Sequence, residues 1–137
     1  MADIHPQLQT DCVTLGRFKL CHLLLMRDAN YPWCILVPDR DDISEIYQLD
    51  PDDQQQLMHE SSLLGQALMQ SFGGDKLNIA VLGNVVPQLH VHHVVRYVED
   101  PAWPAPVWGR VAMKLYSDAE LNERIDEIRS ALAGELE

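Results

Sequence analysis

Gln88-Leu89-His90-Val91-His92-His93-Val94-Val95 is the stretch from which the rest of the chain is best read. Its β-branched and apolar residues, continuing to Val98, predict a strand over Gln88 to Val98. Strand alternation puts Gln88, His90, His92 and Val94 on one face and Leu89, Val91, His93 and Val95 on the other. Polar side chains at three successive positions on one face of an apolar strand cost free energy unless they serve a site. The same eight residues therefore predict a piece of sheet and a candidate site.

Working outward, Lys76 to Leu82 is a second apolar run, joined to the first through Gly83-Asn84-Val85-Val86-Pro87, and the two read as a strand pair. Further upstream, Leu20 to Met26 stops at Arg27-Asp28-Ala29-Asn30-Tyr31-Pro32, where Asp, Asn and Pro supply turn chemistry. Trp33 to Pro38 follows, and Pro38 ends it, so these form another antiparallel pair. Between the two pairs lies a helix signal: Asp50 as N-cap, Pro51 at the first helical position, and Asp52 and Asp53 at the positive end of the dipole. Leu57, Ser61, Leu64, Ala67, Leu68 and Phe72 give it one face of helical period, and Gly73-Gly74 ends it. Ser117 and Glu120 form a capping box for a second helix over 117–132, whose face is Leu121, Ile125, Ile128 and Leu132. The rigid aromatic segment from Asp100 to Gly109, with Trp103 and Trp108, is no flexible linker. The sum is an α+β domain spanning 1–137, built on an antiparallel sheet.

Composition narrows the function. A chain of 137 residues with 47% hydrophobic residues can bury a core without staples. Its 10 Lys and Arg against 21 Asp and Glu give a net charge of −11, which repels nucleic-acid backbones and anionic membranes and so argues against both as partners. A small phosphorylated ligand is still admissible, because a few backbone N–H groups act locally whatever the overall sign. Cys12, Cys21 and Cys34 lack metal-site or disulfide spacing and read as reduced, buried thiols. No run approaches the roughly 20 apolar residues of a membrane span, and Met1 to Thr10 carries no leader pattern, so a soluble, cytoplasmic protein is expected.

Two chemistries want His-x-His on a strand. One is metal ligation by paired imidazoles, although His5, His22 and His59 offer no spacing for further ligands. The other is nucleophilic attack on phosphorus by a neutral imidazole whose second nitrogen is held by a carbonyl, with neighbouring donors taking up phosphoryl charge. Gln88 and Asn84 suit that donor role. No residue pattern demands a bound metal or cofactor.

The segment resembles the signature of the histidine triad (HIT) family, His-φ-His-φ-His-φ-φ with φ apolar. Gln88 stands where the family's first His is expected, and His93 where an apolar residue is expected. The resemblance implies that His90 is the nucleophile and His92 the third triad position, with Gln88 beside them. It extends over about 15–98. Leu24 to Pro38 is similar to the family's nucleotide-binding hairpin, Asp28 lying near the position that contacts ribose, and Asp41 or Asp42 stands where many members carry His. Leu82-Gly83-Asn84 and Pro87 are similar to the loop whose amide contacts phosphate.

What the resemblance implies is an antiparallel sheet of about five strands with a long central helix and a C-terminal helix, usually paired as a homodimer. It further implies hydrolysis or nucleotidyl transfer at the α-phosphorus of nucleoside phosphoramidates or dinucleoside polyphosphates, through a nucleotidyl-His90 intermediate. The competing expectations are a nucleotide-binding module with weak or no catalysis, motivated by Gln88, and a metal-binding protein using His90 and His92. Around the motif, Trp103 and Trp108 are expected to pack on the domain or at a dimer interface rather than on substrate, His93 to face a helix, Arg96 to be solvated, and Asp39 to Asp42 to form an exposed turn.

Overall fold

The computed structural model describes residues 3–137. It contains five strands: β1 (Cys12–Arg17), β2 (Cys21–Met26), β3 (Trp33–Pro38), β4 (Lys76–Ala80) and β5 (Val91–Arg96). The helices are α1 (Pro6–Asp11), α2 (Pro51–Phe72) and α3 (Asp118–Ala131). All the strands join one antiparallel sheet of order β1-β2-β3-β5-β4. The expected α+β architecture is present.

Alternation along the central strands divides the core into two layers. Leu23, Leu25, Cys34, Leu36, Val91 and Val95 face α2 and α3, where Leu57, Leu64, Leu68, Ile128 and Leu132 meet them. Leu24, Trp33, Ile35, Val37 and Val94 face the other way, under Leu8 of α1 and under Ala102, Val107 and Trp108 of the Pro/Trp loop. Each fully buried leucine contributes about 1.5–3 kcal/mol through the apolar area it removes from water. α2 buries the anticipated Leu57, Ser61, Leu64 and Leu68 and adds Glu60 and Gly65. Glu60 is satisfied by accepting the N–H groups of Leu20 and Cys21, both at 2.9 Å.

Strands β4 and β5 are shorter than the sequence reading. β4 ends at Ala80 rather than Leu82, and β5 begins at Val91 and ends at Arg96 rather than running from Gln88 to Val98. Leu36 is the last β3 residue paired with β5, and Pro38 brings β3 to its end without an N–H to donate, so Gln88 to His90 have no ladder to join. The backbone there turns, and Leu89 N–H bonds the Ile43 carbonyl at 2.9 Å.

At the start of α2, Asp50 holds the N-cap position with no side-chain cap bond, while Gln54 donates to the Leu49 carbonyl at 2.9 Å. Gly73 takes the left-handed φ of 58° that closes the helix. Gly74 is required by space, since a Cβ there would collide with Val95 Cγ1. The Ser117–Glu120 capping box forms as read. α1 and β1 were not anticipated. The three cysteines are free and buried. Among the described residues no helix is long and apolar enough to cross a membrane.

Candidate active site

His90 sits just before β5 and His92 within it, with ring centroids 4.9 Å apart and planes at 70°. They border a cavity of about 440 Å³ on the α1 side of the sheet. Its wall includes Asn84, Leu8, Asp11, Met26, Ile35, Val86 and Trp108, and no lysine or arginine. A larger groove of about 870 Å³ between α2 and α3 holds small and acidic side chains and no histidine, so it offers no comparable chemistry.

The hydrogen-bond partner of each imidazole decides what it can do. His90 Nδ1 lies 2.7 Å from the Gln88 carbonyl, which can only accept, so Nδ1 carries the proton and Nε2 keeps its lone pair. His92 Nδ1 lies 3.0 Å from Trp33 Nε1, which can only donate, so here Nδ1 carries the lone pair and Nε2 the proton. Two adjacent histidines are thereby given opposite characters, one a base or nucleophile at Nε2 and the other a donor. Neither Nε2 has a hydrogen-bond partner among the described residues. Burial, followed by electrostatic repulsion between its protonated form and the neighbouring His90 and His93 imidazoles, pushes His92 down to about 3, so it is neutral at physiological pH. Trp108 packs edge-on against both His92 (5.0 Å) and Trp33 (5.6 Å).

His93 belongs to the opposite face, as its parity predicts. It is fully buried, donates from Nδ1 to the Val91 carbonyl at 3.1 Å, and therefore accepts at Nε2 from the Ser61 hydroxyl of α2 at 2.7 Å. Burial lowers it to about 4.

The structure brings His90, His92 and Asn84 together and leaves two expected site residues elsewhere. The Gln88 side chain accepts the His5 N–H at 2.8 Å and donates to the Asp3 carbonyl at 2.9 Å, tying down the N-terminal segment instead of pointing at the His90–His92 cavity. It borders a different hollow, together with Asp41 and Asp42. Asp28 is buried outside the cavity wall, accepting the N–H groups of Asn30 (3.0 Å) and Lys114 (3.3 Å), and so anchors the chain that leads into α3.

Arg96 is not solvated. It is 1% exposed, paired through two bonds with Asp100, hydrogen-bonded to Asn78, and flanked by the rings of Tyr31 and Trp103. The Pro/Trp loop thus splits its aromatics: Trp103 packs on Arg96, and Trp108 reaches the cavity. In the turn after β3, Asp39 is held by Arg17 at 2.8 Å and Arg40 by Asp53 at 2.7 Å, while Asp41 and Asp42 are exposed. Sequence reasoning overlooked Trp33, Asp11 and Leu8. Strand parity carried a signal for Trp33, since it shares a face with Ile35, the residue paired with His92.

As a metal centre the arrangement is poor. Among the described residues no three His, Cys, Asp or Glu side chains gather, and the indole bond takes up the one lone pair that neutral His92 possesses.

Comparison with known proteins bears on the same residues. The model of the HIT domain matches 7–99. The chain is similar to a histidine triad protein of Marinobacter aquaeolei VT8, at 46% identity and TM-score 0.95 over 98% of both chains. It is also similar to one of Bradyrhizobium japonicum, at 44% identity and TM-score 0.92 over 94% of this chain and 96% of that one. A third, from Sinorhizobium meliloti 1021, is 39% identical with TM-score 0.92 over 95% and 96%. Comparison with curated protein sequences gives no match.

Proposed function

Since the chain belongs to the HIT domain family, we propose that it is a nucleotide hydrolase or nucleotidyl transferase acting at the α-phosphorus of a nucleoside phosphoramidate or dinucleoside polyphosphate. The observation that carries this reading is the Nδ1 bond from His90 to the Gln88 carbonyl, because it leaves the Nε2 lone pair at the cavity wall. His90 Nε2 attacks phosphorus, an N–P bond forms, and the bond to the leaving phosphate or amine breaks with its electron pair, an amine taking up a proton from solvent as it departs. Water then cleaves the N–P bond, releasing the nucleoside monophosphate and restoring His90. In this reading His92 Nε2–H and the Asn84 amide, which line the same cavity, donate to the phosphoryl oxygens. Leu8, Ile35, Val86 and Trp108 offer an apolar surface for the base. The reaction is read as taking place in one cytoplasmic domain that pairs with a second copy.

The test is turnover of adenosine phosphoramidate and of diadenosine tetraphosphate, followed by release of adenosine monophosphate. Product formation supports an enzyme. Saturable nucleotide binding without product supports the second reading, a binding module, which is favoured by one observation: the Gln88 amide is engaged with Asp3 and His5 and does not serve the cavity.

A further inference from the structure

The mechanism above uses His92 as a donor, and nothing in the chain's histidines by themselves makes it one. A neutral imidazole exchanges freely between two tautomers unless a partner selects one. We propose that Trp33 is a positioning residue that locks His92 as the Nε2–H tautomer, making it a permanent hydrogen-bond donor to the phosphoryl oxygens rather than a base, an acid or a metal ligand. This rests on the phosphorus-transfer reading for its substrate and on geometry alone for the lock.

The geometry has three parts. The indole N–H to His92 Nδ1 distance is 3.0 Å, and both side chains are buried, so water does not compete for the bond. Trp33 cannot rotate its donor away, because its ring is held edge-on by Tyr31 at 6.3 Å and Trp108 at 5.6 Å. Adding a proton to His92 would set Nδ1–H against the indole N–H, two donors facing each other in a buried place, which costs the full penalty of an unsatisfied group.

The titratable groups around His92 are His90, His93 on the other face, and Asp11 from α1 across the cavity. The strands on either side contribute only Ile35 and Ala80 at its level. The consequence is a division of labour within the motif. A backbone carbonyl fixes His90 as nucleophile, and an indole fixes His92 as donor, so the two cannot exchange roles.

The experiment has a substrate-free arm and a kinetic arm. Ring-nitrogen NMR of histidine-labelled wild type, assigned with His92→Asn, is expected to show His92 as a single neutral Nε2–H tautomer from pH 8 to pH 5. An Nδ1–H tautomer, a mixture, or protonation in that range overturns the lock. In the kinetic arm, Trp33→Phe and the isosteric benzothienylalanine at position 33, which keeps the ring but replaces N–H by sulfur, are compared on adenosine phosphoramidate. Both are expected to lose roughly 10- to 100-fold in kcat with KM little changed and to show a mixed His92 tautomer. If Trp33→Phe does not fold, the benzothienyl variant alone decides. Normal kcat with a mixed tautomer overturns the proposal. A locked tautomer in a wild type that turns over no phosphorus substrate leaves Trp33's role intact and removes the catalytic reading instead.

Discussion

At the scale of the residue, the site depends on which atom each imidazole presents. In the proposed reaction the loss of His90 removes the covalent step, so on that reading His90→Ala is expected to lower turnover by several orders of magnitude, as deletion of a nucleophile does elsewhere, while nucleotide affinity changes little. Quenching a slow substrate without acid and measuring intact mass should show a nucleotidyl adduct that maps to His90. An adduct on His92, or near-normal turnover by His90→Ala, refutes the assignment. Gln88 belongs to a different argument. Its side chain makes two bonds to the N-terminal segment, and an imidazole there replaces at most part of that pair. Gln88→His is therefore expected to cost about 1 kcal/mol in stability through the lost amide bond and to change kcat only a few-fold. Denaturant midpoints and kcat measured on one preparation check both, and abolished turnover would show that Gln88 acts in the chemistry after all.

At the scale of the element, one buried ionic cluster ties β5 to the Pro/Trp loop and adds a side-chain bond to its backbone ladder with β4. Burial by itself would raise the Asp100 carboxyl. The Arg96 guanidinium and the N–H groups of Tyr97, Ala102 and Trp103 outweigh it and bring Asp100 from 3.8 down to about 2. A depressed carboxyl stabilises the fold above its unfolded value, and that contribution disappears as pH falls from about 4 through about 2. Acid unfolding followed by tryptophan fluorescence should show a transition in this window. Asp100→Ala leaves Arg96 buried without its carboxylate and is expected to cost about 3–5 kcal/mol. A loss below about 1 kcal/mol in urea would mean that the loop contributes little to holding the strand. Because the same loop carries Trp108, the substitution should also loosen the wall beside His92.

At the scale of the molecule, the sheet has two edges, and β4 is one of them. Ile79 on that strand is 50% exposed, and Val81, Leu82 and Val85 continue the apolar surface towards the cavity. An exposed edge with apolar side chains invites a second copy. The Pro/Trp loop, from which pairing is expected on sequence grounds, packs its aromatics on its own sheet, so β4 is the better supported place for the contact. A homodimer is expected by light scattering at micromolar concentration, and Ile79→Lys is expected to shift it towards a monomer of 15.6 kDa. A wild-type chain that is monomeric at 100 μM would refute pairing.

The division between what was legible in the chain and what was not follows from the range of the forces involved. Local signals placed α2, α3 and the central strands, since caps, turn residues and apolar period act within a few residues. Parity likewise separated His92 from His93, and the acidic composition argues against polyanionic partners. The sequence by itself thus determined an α+β fold and a histidine pair of the HIT type. Tertiary structure alone decided the rest. Gln88 and Asp28 turned away from the cavity because backbone N–H groups far along the chain, at His5 and Lys114, captured their side chains. Arg96 became buried because Asp100 and Asn78 neutralise and satisfy it. His92 became a donor because Trp33, 59 positions away, meets its Nδ1. Such long-range hydrogen bonds are set by how sheet and loops pack, and spacing along the chain carries no record of them.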